Sequence, residues 1–249
     1  MEYSDYSKKL VEILGLENQP IALKFLKPGE AAPQGFETPA HKMRFCQAVM
    51  EASWGKFLVI KPSEMSCGPG PASFGEPMRE KVARGEVHQA IGLFGSTEAA
   101  ARCLSANIKI PAGAAGAAGN VLVGGLEKFP VQADVIVLRL NPEQALWICQ
   151  SRSYTEGKHL MFDVQTEASF CSGLAVATLL RNEIQIALGC YGSRSNTNMK
   201  PEEMLVGIPI TLLPVIVEIL EKMKKPIADS RSKKGYHEAY PEKKQAAMQ

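Results

Sequence analysis

The run Asp134-Val-Ile-Val-Leu-Arg-Leu140 constrains this chain more than any other segment. It is almost continuously apolar and rich in β-branched residues, so neither face of a strand built from it is left for water. A strand of that kind belongs at the centre of a sheet, covered on both sides. Around it, short apolar runs alternate with helical patterns. Ile21 to Leu26, Phe57 to Ile60, Val121 to Val123 and Ile184 to Leu188 read as strands. Tyr3 to Leu16, Lys42 to Ser53, Thr97 to Asn107, Pro142 to Trp147, Phe170 to Leu180 and Leu212 to Lys224 read as helices. Ser96 is placed to cap the third of these helices, and Pro142 opens the fourth at a favoured first-turn position. The alternation predicts an α/β or α+β fold, a mixed sheet with flanking helices, with two pseudo-symmetric halves as an option.

Length supports one domain over residues 1–225 with no internal linker. The 249 residues are 45% hydrophobic and 22% charged, which excludes disordered and fibrous classes. The overall charge of +2 predicts no general affinity for nucleic acid. Charge is nevertheless uneven. From Lys225 onward six basic residues face three acidic ones, so residues 226–249 form a basic tail expected to be extended or partly disordered. Met1-Glu2-Tyr3-Ser4-Asp5 lacks the basic and apolar regions of a secretory signal, and a cytoplasmic location is expected. Met204 to Leu220 is apolar but interrupted by Gly207, Pro209, Pro214 and Glu218, so no membrane span is expected. It reads as a buried strand or loop leading into a helix.

Six cysteines without export point to thiols or metal ligands rather than disulfides. No two are separated by two residues, which removes the thioredoxin motif and the zinc ribbon. A loose repeat is present instead. Phe45-Cys46 begins a helical segment, a strand follows, and Cys67-Gly68-Pro69-Gly70 ends it 21 residues later. Phe170-Cys171 begins another helical segment, and Cys190-Tyr191-Gly192-Ser193-Arg194 ends the next strand 19 residues on. If the halves pack about a local two-fold, four sulfurs converge. Four thiolates suit zinc or an iron–sulfur cluster of the 4Fe–4S type. Gly68, Gly70 and Gly192 would let backbone N–H groups or a cofactor approach the sulfurs, and Arg194 would hold a carboxylate or phosphate. Cys103 and Cys149 sit in apolar helical patterns and read as core residues.

Other signals are sparse. Cys67-Gly-Pro-Gly-Pro lacks the Lys-Ser/Thr ending of a P-loop. Residues 112–119 are only Gly and Ala and read as a flexible loop or a close backbone approach. His41, His88, His159 and His237 are scattered, and no serine-nucleophile elbow is present. Glu64 and Glu167 lie near cysteines as candidate proton carriers, although solvated carboxylates are the commoner case.

A series of segments carries a family resemblance: Pro20-Ile-Ala-Leu-Lys-Phe25, Arg44-Phe-Cys46-Gln-Ala48, Cys67-Gly68 with Phe74-Gly75, Phe129-Pro130, Ala133-Asp134-Val135-Ile136, Pro142-Glu-Gln144, Cys171, Cys190-Tyr-Gly-Ser-Arg194, and Glu203-Met204 with Gly207-Ile-Pro209. From about residue 7 to 224 the chain resembles the prokaryotic family labelled "uncharacterised ArCR". That resemblance implies no settled activity. It favours Cys46, Cys67, Cys171 and Cys190 over the other two cysteines, and it suggests an anaerobic archaeal or bacterial source.

Three functional expectations follow. The first is a metalloprotein holding an iron–sulfur cluster on those four cysteines, serving electron transfer or redox support in anaerobic metabolism, with zinc as the structural variant. The second is a carrier of an organic cofactor or small molecule. The third is a thiol enzyme with Cys171 activated at a helix N-terminus. The partner would be a redox protein or small molecule, with homo-oligomerisation open. A transcriptional regulator ranks last, since no helix-turn-helix or basic recognition helix is legible.

Overall fold

The computed structural model describes every residue except Met1, Ala115, Ala118 and residues 242–249. Six strands form one sheet: β1 (Ile21–Phe25), β2 (Leu58–Ile60), β3 (Val121–Gly125), β4 (Val135–Leu140), β5 (Gln185–Ala187) and β6 (Met204–Pro209). Their order is β2-β3-β1-β4-β6-β5. Every pairing between these strands is antiparallel, so the expected mixed sheet is an antiparallel one, with a single parallel bridge from Glu37 to Leu58 outside it. The continuous apolar run of β4 reflects two covered faces, not parallel pairing: all six of its residues are buried.

The helices are α1 (Tyr3–Leu14), α2 (Phe45–Ser53), α3 (Gly70–Ser73), α4 (Glu80–Ala83), α5 (Glu86–Ala90), α6 (Thr97–Ser105), α7 (Pro142–Glu156), α8 (Ala177–Arg181), α9 (Tyr191–Asn196), α10 (Leu213–Lys222), α11 (Lys224–Arg231) and α12 (Lys234–Ala239). A π-helix, Ser169–Val176, leads directly into α8. Local chemistry sets several ends. Gly15 closes α1 at φ 61°, donating its N–H to the Val11 carbonyl. Ser96 Oγ accepts from Ala99 N–H to start α6, and Asn141 Oδ1 accepts from Gln144 N–H to start α7.

Alternating strand residues build two cores. Ile21, Leu23, Val135 and Val137 face one layer with Phe45, Phe74, Phe170, Cys46 and Cys171. Ala22, Ile136, Leu138 and Val206 face the other with residues of α1, α7 and α10. The odd residue in this pattern is Arg139, 6% exposed, whose guanidinium meets Glu203 in two hydrogen bonds of 2.9 and 3.1 Å.

The topology repeats. In each half the first strand is central (β1, β4), a cysteine-bearing helix follows, the second strand takes the outer edge (β2, β5), and the third fills the gap (β3, β6). The halves meet at the antiparallel β1–β4 pair, which relates them by an approximate two-fold. Residues 112–119 contain the close approach that was one of two expectations: a Cβ on Gly119 would lie 1.9 Å from the Leu26 carbonyl oxygen. The tail departs from expectation. Its described part is helical in α11 and α12 rather than extended, with Ile227 buried and Arg231 donating to the Ile13 carbonyl at 2.7 Å.

Candidate functional site

Each half delivers one cysteine from a helix and one from the turn after its edge strand, all on the same face of the sheet. Cys46 is the second residue of α2, and Cys171 is the third of the π-helix. Cys67 lies in the loop leading to α3, and Cys190 is the residue from which α9 starts. Cys46 and Cys171 are buried, while Cys67 and Cys190 are partly buried. The positive ends of several short helices therefore point at one region, where negative charge is favoured.

The sulfurs of Cys67 and Cys171 both lie 3.3 Å from the position a Cβ on Gly70 would take. They are thus no more than twice that distance apart. Neighbouring cysteines act on three of these thiols: Cys190 and Cys67 on Cys46, Cys190 on Cys67, and all three on Cys171. Burial pushes the Cys46 thiol up to about 12, with Cys190 and Cys67 adding to the effect. Burial pushes Cys171 well above the usual thiol range, reinforced by Cys67, Cys46 and Cys190. Cys67 is raised by burial as well, but the Gly70 N–H and the Arg44 guanidinium act to pull it back. Mutual influence of this kind requires proximity in a low-dielectric setting. Among the described residues, no three His, Cys, Asp or Glu side chains form a group that holds a metal ion as they stand.

Arg44 is the residue that sequence reasoning passed over. It stands two positions before Cys46, and its Nη1 lies 3.0 Å from where a Cβ on Gly192 would sit, a point 3.8 Å from the Cys190 sulfur. Gly192 thus makes room for a cation that spans Cys67 and Cys190. An arginine at a helix start carries no local signal for such a role. Gly70 keeps the Cys67 and Cys171 sulfurs free of a side chain. Gly68 has a looser role, since a Cβ there would touch only Val82 at 3.4 Å.

Arg194 is not a free anion holder. Its donors go to the Leu188, Lys200 and Glu203 carbonyls at 2.6 to 2.9 Å, which clamps α9 to the start of β6. Cys103 and Cys149 lie away on α6 and α7, and burial alone raises Cys149, to about 11. Glu64 is exposed and paired with Lys61 at 3.1 Å. Glu167, in contrast, is buried against His88 at 3.3 Å. Residues of α2 and α9 wall a groove of about 730 Å3 that includes Met43, Gln47, Met50, Trp54, Asn196 and Asn198. Gln47 bridges its two walls, donating to the Asn196 carbonyl at 3.2 Å.

Among the described residues, no helix is long and apolar enough to cross a membrane. The chain is similar to an uncharacterized protein of Methanocaldococcus jannaschii, 29% identical over 223 residues that make up 88% of this chain and 94% of the relative. No solved structure matches. The family model described as "Uncharacterised ArCR" matches residues 9–219, a span that includes all four converging cysteines and Arg44, and the chain belongs to that family.

Proposed function

We propose that this chain is a one-electron redox protein whose Cys46, Cys67, Cys171 and Cys190 hold a 4Fe–4S cluster. The observation that carries this reading is the convergence itself: two cysteine pairs far apart in sequence lie within electrostatic reach of one another, Cys46 and Cys171 buried and Cys67 and Cys190 partly buried. Thiol burial alone does not require four cysteines from two halves to share one region. The donor set is all sulfur, the chemistry preferred by zinc and iron–sulfur centres. A tetrahedral zinc site needs sulfurs roughly 4 Å apart, given bonds of about 2.3 Å. A four-iron cluster spreads its ligands further, and a Cys67–Cys171 separation of at most twice 3.3 Å is compatible with either.

When bound, such a cluster supplies a reversible one-electron change. The chain's own residues supply the rest. The Gly70 N–H and the Arg44 guanidinium lower the Cys67 thiol, and the first turns of α2 and the π-helix direct positive ends at the site. Both features favour the thiolate state and stabilise added negative charge. The groove walled by α2, which carries Cys46, and α9, which Cys190 precedes, gives a small molecule or partner protein a place to dock. The thiol-enzyme reading finds less support, because burial holds Cys171 as a protonated thiol rather than an activated thiolate.

Anaerobic reconstitution with ferrous iron and sulfide tests the proposal. The expected product is brown and holds about four irons and four sulfides per chain. Single Cys→Ser changes at the four positions should each lower iron content severely, whereas Cys103→Ser and Cys149→Ser should not. A colourless protein with less than one iron per chain overturns the reading, and one tightly held zinc replaces it with a structural site.

A further inference from the structure

The helix that carries Cys46 has a second face. One side of α2, with Phe45, Cys46, Ala48, Val49 and Ala52, is buried in the core beneath the sheet. Gln47, Met50, Glu51 and Trp54 recur at the i, i+3, i+4, i+7 spacing of a single helical stripe, and all four line the groove of about 730 Å3. The stripe runs from an amide at one end to an indole at the other. Trp54 is 59% exposed, more than any other aromatic side chain among the described residues, while Met50 between them is buried. Two further segments complete the lining. The first, residues 37–43, is pinned at its ends. Val59 N–H donates to the Glu37 carbonyl at 2.9 Å, and Ser66 N–H to the Met43 carbonyl at 3.1 Å. The second is residues 195–198, the end of α9 and the chain just beyond it.

This lining selects by chemistry. Lys56 is the only lysine or arginine among its described residues, and Glu51 holds it at 2.7 Å. Glu37 lines the groove as well, so two carboxylates face one ammonium, and a phosphate or carboxylate ligand meets net repulsion. The hydrogen-bonding groups are neutral instead. Asn196 spends its amide on the Gly192 carbonyl and Ser195 Oγ, both at 2.8 Å, whereas Asn198 is exposed. A sugar carries hydroxyls all round its ring, but Met43 and Met50 offer thioethers, which favour aromatic rings. The volume falls in the usual range of a small-molecule site.

We propose that this groove binds a flat, uncharged nitrogen heterocycle of the nucleobase kind, its ring stacked on the Trp54 indole and its edge read by the Asn198 amide. Every base has a face that stacks on an indole, and an amide side chain both donates to and accepts from a base edge. A nucleoside and a nucleotide share that ring and differ in the charge they bring to the groove. Nucleosides therefore bind, and their 5′-phosphates bind more weakly. None of the four converging cysteines lines the groove, so binding needs no metal and stands apart from the redox reading.

The chain has two tryptophans, and Trp147→Phe leaves Trp54 as the sole emitter. Titrating that metal-free variant with adenosine, guanosine, cytidine and uridine should quench its fluorescence saturably for at least one of them, with a Kd of about 1 mM or below. Calorimetric titration of the same nucleoside into wild type supplies the reference affinity. Trp54→Ala should weaken it by about 5- to 150-fold, the worth of one base stack. Asn198→Ala should weaken it too and change the ranking of the four nucleosides. Both side chains are exposed, so both variants should melt as wild type does. The matching 5′-monophosphate should bind less tightly, with a gap that narrows as salt is raised. No saturable quenching by any of the four, or a Trp54→Ala protein that binds as tightly as wild type, overturns the proposal. So does a monophosphate that binds more tightly than its nucleoside, or galactose that binds equally well. Iron loading is measured separately, and each of these failures leaves the redox reading where it stood.

Discussion

Arg139 and Arg44 show how differently one residue type is used within this chain. Arg139 lies mid-strand in β4, and its charge is met by Glu203 in a bidentate pair, with Ser53 Oγ accepting at 3.2 Å and Asn18 at 3.3 Å. A buried ion pair gives little net stability when whole, but removing one partner strands the other. Glu203→Gln should therefore destabilise the protein by about 3 kcal/mol in urea unfolding at pH 7, and Arg139→Met combined with Glu203→Leu should recover most of that loss. Arg44 is the opposite case, a cation set beside cysteine sulfurs. In the loaded protein Arg44→Gln should lower the midpoint potential, because a positive charge at about 5 Å and an effective dielectric of about 20 favours the reduced state by roughly 3 kcal/mol. An unchanged potential would remove Arg44 from the centre.

The π-helix is the element on which the site depends. Its Cys171 is aimed by close packing on β6, where a Cβ at Gly207 would lie 2.3 Å from Thr178 Oγ1 and 3.2 Å from Leu174. Gly207→Ala should push the π-helix and α8 off the sheet, costing about 1–3 kcal/mol by the usual penalty of overpacking. It should also reduce iron loading more than an equally destabilising change in the opposite core, such as Ile216→Val. Equal loading in the two variants would separate the packing from the site. The helical pattern over residues 170–180 was legible in the sequence, but its π turn was not. Periodicity of buried Leu, Ala and Val distinguishes helix from strand, whereas the extra residue per turn is imposed by the surroundings.

At the scale of the whole molecule, the basic tail is a brace and not an appendage. Arg231 donates to the Ile13 carbonyl and stacks on Gly15, Ser230 Oγ bonds Glu143 at 2.6 Å, and Ile227 is buried. Truncation after Met223 should lower the melting temperature by several degrees, the shift expected for about 1–3 kcal/mol in a domain of this size. Truncation after Lys233 should leave it nearly unchanged. The sequence marked this segment as basic and separate because its charge balance differs from the body. Charge composition says nothing of where a helix docks, and the extended form anticipated from it gave way to burial of one isoleucine and one arginine clamp.

The residues alone determined what is local. The apolar run of β4, the alternation of strands and helices, the capping residues Ser96 and Asn141, and the paired pattern of Cys46–Cys67 and Cys171–Cys190 all follow from side-chain chemistry within a few turns of chain. Tertiary packing decided the rest. It brought the two halves together across β1 and β4, so that cysteines more than a hundred residues apart share one face. It assigned Arg194 to backbone carbonyls and Arg44 to the sulfurs, two arginines with no local difference to separate them. It buried Glu167 against His88, where burial and not sequence context makes a carboxylate titrate near neutrality. The division is physical: periodicity and capping act over a few residues, while burial, charge pairing and convergence depend on which surfaces the fold closes against each other.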